Sequence, residues 1–170
     1  GHIVGMIAAW LGEDKFREGV RRYIAAHRFG SATSEDFFTA LADVAGDPRL
    51  VPAMRSFVDQ QGVPLLAVRQ QGDKVSITQL RYTTAGVAPP DTQWVIPLCL
   101  RRGANRRCFI MDKRTQAFTI DGEGPVFPNP GGTGYYRFEL TERHWDQLLA
   151  YADDLPGGEA QALVDSLWAS

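Results

Sequence analysis

Histidine and cysteine are scarce in this 170-residue chain, and their scarcity removes most of the chemistry it could carry alone. The histidines are His2, His27 and His144, and none has another histidine four residues away. The paired histidines of a zinc-hydrolase helix, one turn apart with a glutamate between them as base, cannot form within it. Each histidine reads instead as an amphipathic-helix residue or a cap partner. Cys99 and Cys108 are too few for a four-cysteine zinc ribbon and do not stand as Cys-x-x-Cys. The chain also lacks a Gly-x-Ser-x-Gly elbow and a phosphate-loop motif. No apolar run approaches the roughly 20 residues of a membrane helix. The formal net charge of −2 argues against general nucleic-acid binding, although arginines cluster between Arg101 and Arg107. A leader pattern is missing too: Gly1-His2-Ile3-Val4-Gly5-Met6 opens directly into helical spacing, and without an initiator methionine it reads as an excised piece.

What the chain does have is enough apolar residue, 44%, to bury a core if all of it packs together. The organising stretch runs from Met54 to Val68, where the hydrophobic period changes. Met54, Phe57 and Val58 lie at helical offsets, whereas Val63, Leu65, Leu66 and Val68 form a short run suited to a strand. Gly62 and Pro64 at the seam form a stop signal, because glycine can close a helix and proline cannot continue one. The seam is expected to be a domain boundary.

Before the seam the spacing predicts four helices. Ile3, Met6, Ile7 and Trp10 mark the first, ended by Leu11-Gly12. Phe16, Val20, Tyr23, Ile24 and His27 give the second an apolar face. Thr33 caps the third, with Asp36 three residues on as in a capping box, and Phe37, Ala40, Leu41 and Val44 form its buried face. After Gly46-Asp47-Pro48, the fourth turns Leu50, Val51, Met54, Phe57 and Val58 inward, with Pro52 in its first turn.

Beyond the seam the period becomes two. A strand ending near Arg69, a turn over Gln70-Gln71-Gly72-Asp73 and a strand from Lys74 to Tyr82 lead into a loop from Thr83 to Asp91 containing Pro89-Pro90. Trp94, Ile96, Leu98 and Leu100 share one face of the next strand, which Pro97 confines to an edge or a bulge. Strands over Arg107 to Met111 and Gln116 to Ile120, joined at Asp112-Lys113-Arg114, complete a meander, and the whole reads as a small sandwich. Asp121 to Gly134 is too rich in glycine and proline for anything but loop. Tyr135 to Leu140 is the last strand. Thr141 caps a helix with Trp145, Leu148, Leu149 and Ala152 as its stripe, and a final segment carries Ala162, Leu163, Leu167 and Trp168 to Ser170. That short pair of helices, ending on exposed apolar residues, looks unfinished.

If Gly103-Ala104 is a two-residue hairpin turn, Arg102 faces Asn105 and Cys99 stands opposite Cys108. A cross-strand disulfide is then within reach and would imply an oxidising compartment, with a lean toward an exported or periplasmic location. The alternative is two buried thiols in a core.

The remaining candidates have plainer readings. Glu35 and Asp36 suit a helix start rather than acid/base chemistry, Asp153 and Asp154 a solvated loop, and Arg101, Arg102, Arg106 and Arg107 a hairpin tip kept soluble by charge rather than a specific anion site. Gly131-Gly132-Thr133-Gly134 runs into a strand, whereas a phosphate loop runs into a helix.

The residues also carry a resemblance. Leu11 to Gly19, Tyr23, His27, Ala32 to Phe38, and Met54 with Phe57, Gln60, Gly62 and Pro64 resemble the zinc aminopeptidases of the aminopeptidase N type, a gluzincin family, in the segment closing the thermolysin-like catalytic domain. Thr78-Gln79-Leu80-Arg81-Tyr82, Trp94 to Leu98 and Gly134 to Phe138 are similar to strand motifs of that family's β-sandwich domain, and Trp145 to Leu149 to the opening of its C-terminal helical domain. Phe57 stands where the family often has tryptophan. The resemblance implies an α+β chain of three parts: residues 1–62 as the helical tail of a catalytic domain, 63–140 as the β-sandwich and 141–170 as the start of a helical domain. It implies a parent enzyme in which a zinc-bound water, a glutamate base and a tyrosine that steadies the tetrahedral intermediate remove N-terminal residues from peptides. Gly1 looks like the glycine of a Lys-Gly pair just past that tyrosine. The His-Glu-x-x-His helix and the amine-binding glutamates would lie upstream, so no catalytic, metal or substrate-binding residue is assigned in this chain, and zinc is expected in the parent alone. Its expected partners are the parent's peptide substrate, the upstream catalytic domain and further copies of itself, with no nucleic acid and no membrane. The other reading is a non-catalytic binding or scaffolding module on the same scaffold.

Overall fold

The computed structural model describes every residue except 85, 89 and 170. Of the loop expected from Thr83 to Asp91, Ala85 and Pro89 lie outside the described residues, as does Ser170, and the described loop residues form neither helix nor strand. Among those described, six α-helices and two small sheets make a mixed α+β chain.

The helical part comprises α1 (His2–Leu11), α2 (Glu13–Ala26), α3 (Ser34–Ala45) and α4 (Leu50–Val58). Gly12 ends α1 and starts α2 in one residue. At α3 the capping box forms: Asp36 N donates to Thr33 Oγ1 at 3.2 Å and Thr33 N donates to Asp36 Oδ2 at 2.8 Å. Two otherwise unpaired amides are satisfied there, and the Thr33 hydroxyl and amide hold the Asp36 carboxyl below its ordinary range. Gly46 closes α3 at φ 69°, the left-handed conformation in which a Cβ would be strained.

Three helical faces differ from the expectation. In α3 the buried residues are Phe38, Leu41 and Ala42, while Phe37, Ala40 and Val44 are half-buried. The cause is Gly19 of α2: a Cβ there would lie 2.6 Å from Leu41 Cδ2, so the two helices meet through the smallest side chain available and α3 rolls to bring Leu41 onto it. In α2 itself Ile24 is 57% exposed. Tyr23 packs edge-on against Phe37, and its successor is thereby turned to the outer side. In α4, Ala53, Met54 and Phe57 face inward, which leaves Val58 outside.

The first sheet has the order β5-β2-β1-β7 and the second β4-β3-β6. Their strands are β1 (Pro64–Gln71), β2 (Lys74–Arg81), β3 (Ile96–Arg102), β4 (Asn105–Met111), β5 (Thr115–Thr119), β6 (Val126–Phe127) and β7 (Arg137–Glu139). The turn expected over four residues shrinks to Gly72 and Asp73, because pairing continues to Gln71 opposite Lys74. The expected meander does not form. After β4 the chain crosses to the other sheet, and β5 pairs with β2, Val75 opposite Phe118. β7 adds to β1 in parallel. Pro97 does lie in β3, the middle strand, but β6 pairs only with Arg101 and Arg102, so the proline stands where one side of β3 is locally an edge.

The Gly/Pro-rich stretch expected as loop contains β6 and a 3-10 turn at Pro130–Gly132. It leads through β7 to α5 (Glu142–Leu149) and α6 (Gly157–Leu167). In α5 the buried residues are His144, Trp145 and Leu148, with Leu149 exposed. α6 buries Glu159, Leu163 and Ser166 and leaves Leu167 and Trp168 exposed.

The facing sides of the two sheets share one core, in which Leu66, Val68, Val75 and Ile77 meet Ile96, Leu98, Leu100 and Met111. Met6 of α1 and Phe57 of α4 belong to that same core. A second cluster, with Ile7, Leu41, Leu50 and Met54, joins the helices and reaches Ile110 of β4. No helix among the described residues is long and apolar enough to cross a membrane.

Candidate functional site

The residues that the sequence marks for chemistry are spread over the molecule. His2 stacks on Tyr135, ring centroids 6.1 Å apart. His27 Nδ1 is 2.9 Å from the Tyr23 carbonyl, and its other nitrogen is 3.5 Å from Asp36. His144 is buried, and its Nε2–H donates to Val126 O at 2.8 Å, which ties α5 to β6. Burial pushes the His144 imidazole below its ordinary value. Glu35 pairs with Arg55 of α4 at 2.5 Å, and Asp153 and Asp154 are exposed. Among the described residues no three His, Cys, Asp or Glu side chains converge where they could hold a metal ion. The zinc implied by the resemblance has no ligand set among the described residues.

The arginine group corrects the sequence reading most plainly. Arg102 is buried: Nη1 donates to Asp73 Oδ1 at 2.5 Å and Ile120 O at 3.2 Å, and Nε to Gly124 O at 3.0 Å. Its cost of desolvation is met by one carboxylate and two carbonyls. Arg101 Nη2 donates to the buried Glu159 of α6 at 2.5 Å, and its guanidinium lies over Phe127. Only Arg106 and Arg107 remain at the surface, where they hold Ala9 O and Thr119 O. What reads as a solvated tip is half a set of internal fastenings, because the β1–β2 turn, the segment after β5 and α6 come together there to supply the acceptors.

The glycine-rich stretch has an equally mechanical role. Gly131 N donates to Glu159 Oε1 at 2.9 Å, and a Cβ on Gly132, at φ 67°, would fall 2.0 Å from Gly158 O. Backbone meets backbone there, which only glycine permits. Asn129 closes the same loop, accepting from Gly134 N at 2.8 Å and donating to its carbonyl at 3.3 Å. Tyr136 donates its hydroxyl to Pro128 O at 2.8 Å, and burial pushes that phenol far above its ordinary value.

Gln79, which the sequence offers only as one residue of a strand motif, is central to the fold. Fully buried, it accepts from Trp94 N at 2.8 Å and donates to Trp94 O at 2.9 Å and Lys113 O at 3.0 Å. One side chain thus joins β2, the start of β3 and the β4–β5 turn. The one signal in the sequence was an amide at a strand position whose neighbours Ile77 and Val75 at period two are buried.

Cys99 and Cys108 occupy directly opposed positions of β3 and β4 and are joined by a disulfide. An open cleft of about 530 Å³ lies between the start of α1, β7 and α6, where His2, Tyr82, Asn129, Tyr135, Arg137 and Asp165 line it. Its aromatic faces are already used, by His2 on Tyr135 and by the Arg137 guanidinium 4.2 Å above Tyr82. The arrangement can brace and bind.

The chain is similar to known peptidases. Residues 1–60 match the peptidase family M1 domain. The chain is 32% identical to aminopeptidase 2, mitochondrial, of Saccharomyces cerevisiae, over 95% of its own length and 17% of that protein's. It is 30% identical to the puromycin-sensitive aminopeptidase of Caenorhabditis elegans, over 85% and 16% respectively. With the Tricorn protease-interacting factor F2 of Thermoplasma acidophilum the identity is 26%, over 98% and 20%. The chain thus spans about a fifth or less of the length of these relatives.

Proposed function

Because this chain is related to the M1 aminopeptidases over most of its length, we propose that it is a portion of a zinc metallo-aminopeptidase that removes N-terminal residues from peptides, and that this portion is structural. The observation that carries the reading is the bonding between helices and sheets. Trp10 Nε1 donates to Phe109 O at 3.0 Å, Val95 N to Ser56 Oγ at 3.1 Å and Tyr135 N to Met6 Sδ at 3.3 Å, while Met6 and Phe57 sit in the sheets' own core. Residues 1–62 are the helical tail of the catalytic domain, residues 63–140 a β-sandwich that holds this tail in place, and residues 141–170 the start of a helical domain. The cleft at His2 adjoins the parent's active site, since the resemblance puts the intermediate-stabilising tyrosine just ahead of Gly1. Zinc belongs to the parent's upstream segment, and the upstream catalytic domain is this chain's principal partner. The Cys99–Cys108 disulfide fits an exported or periplasmic parent.

The test is an assay of the 170-residue chain against aminoacyl anilides with added zinc, beside a longer protein that includes the preceding coding sequence. Zinc-dependent release by the longer protein alone is expected. Turnover by the 170 residues themselves would overturn the structural assignment.

A further inference from the structure

The two sulfurs of the Cys99–Cys108 disulfide stand in unlike surroundings. Cys99 is buried, and Arg106 Nη2 lies 3.5 Å from its Sγ. Cys108 is half-buried and lines an open cleft of about 480 Å³ along the edge of β4, together with Trp10, Asp47, Arg49, Arg107 and Phe118. In that cleft Asp47 is taken up by Arg49, through contacts of 3.0 and 2.7 Å. Arg107 bonds Thr119 O and lies over the Phe109 ring, and it has no carboxylate partner among the described residues. The cleft therefore presents a net positive lining beside one sulfur, while a second guanidinium attends the other.

We propose that this disulfide is an exchange site for a small thiol carrying carboxylates. The incoming thiolate attacks Cys108 Sγ and forms a new S–S bond to it. The Cys99–Cys108 bond breaks, and its electron pair leaves with Cys99 Sγ as a thiolate. One thiolate and one disulfide enter and one of each emerges, so no outside oxidant or reductant is consumed. The direction is set by the arginines. Exchange is faster when the departing thiolate is stabilised, and the Arg106 guanidinium, 3.5 Å from Cys99 Sγ, is placed to pair with that anion. Arg107 favours an anionic thiol over a cationic one. Release of Cys99 also gives Arg106 a competing anion, and Arg106 is the side chain that holds Ala9 O, so the exchange reaches the end of α1.

The experiment treats the unreduced chain with reduced glutathione or with cysteamine at equal thiolate concentration, quenches with acid and maps the adducts by mass spectrometry. A mixed disulfide on Cys108 with Cys99 free, formed faster by glutathione, is expected. Arg106→Gln should slow the exchange by about three- to tenfold, and Arg107→Gln should remove the glutathione preference. Adducts on Cys99 or on both residues, no adduct, two free thiols at the outset, or no preference between the two thiols would overturn the proposal, and none of these outcomes needs a variant to fold.

Discussion

Gln79 shows how much can hang on one side chain. Its amide supplies both partners of the Trp94 backbone inside the buried core. Gln79→Leu keeps the volume but leaves the Trp94 N–H and C=O and the Lys113 carbonyl unpaired. We expect a loss of about 3 kcal/mol in urea unfolding, the penalty of buried unpaired groups, and a loss under about 0.5 kcal/mol would show that the amide is not needed. His144 makes a different prediction. Burial depresses its folded pKa below the unfolded value of about 6.5, so its contribution is complete above that value and declines as the pH falls through it toward the folded pKa. Stability measured from pH 8 to 5 should fall on the acid side, and His144→Gln should flatten that fall. An unchanged slope in the variant would mean that His144 does not titrate with unfolding. Neither residue was legible in advance. The sequence marked Gln79 only as one letter of a motif and His144 only as a helix residue, because the acceptors that define them lie 15 to 34 and 18 residues away.

At the scale of elements, local signals were read well and distant pairings were not. The capping box at Thr33 and Asp36, the stop at Gly46 and the opposition of Cys99 to Cys108 follow from a few adjacent residues and a two-residue turn. The crossing from β4 to β5, the parallel addition of β7 and the two-residue β6 depend on which sheet has a free edge, and no period in the chain carries that. The roll of α3 onto Gly19 belongs to the same class, since a helical stripe gives the face only to within a residue. The contact between the Pro130–Gly132 turn and α6 offers the sharpest test. Gly132→Ala places a methyl into the Gly158 carbonyl in a backbone conformation that alanine disfavours. A destabilisation of about 3 kcal/mol is expected, with increased amide exchange in α6 before the rest. Retention of wild-type exchange in α6 would contradict the close approach.

For the whole molecule, the exposed apolar residues are the informative ones. Phe29 is 97% and Trp168 92% exposed, and Ile24, Val164 and Tyr151 are each at least 57% exposed. Under the proposed function these surfaces face neighbouring segments of a larger enzyme. The isolated chain should bind a hydrophobic dye and self-associate as its concentration rises, by light scattering, and Trp168→Ser should weaken both effects. A monomer at all concentrations that binds no dye would argue that the surface needs no cover.

The most direct measurement of the central claim is to read the coding sequence immediately upstream of Gly1. The account predicts a Tyr-x-Lys directly before that glycine and a His-Glu-x-x-His further up. A start codon or an unrelated domain in that place would contradict it, leaving a binding or scaffolding module on a peptidase scaffold.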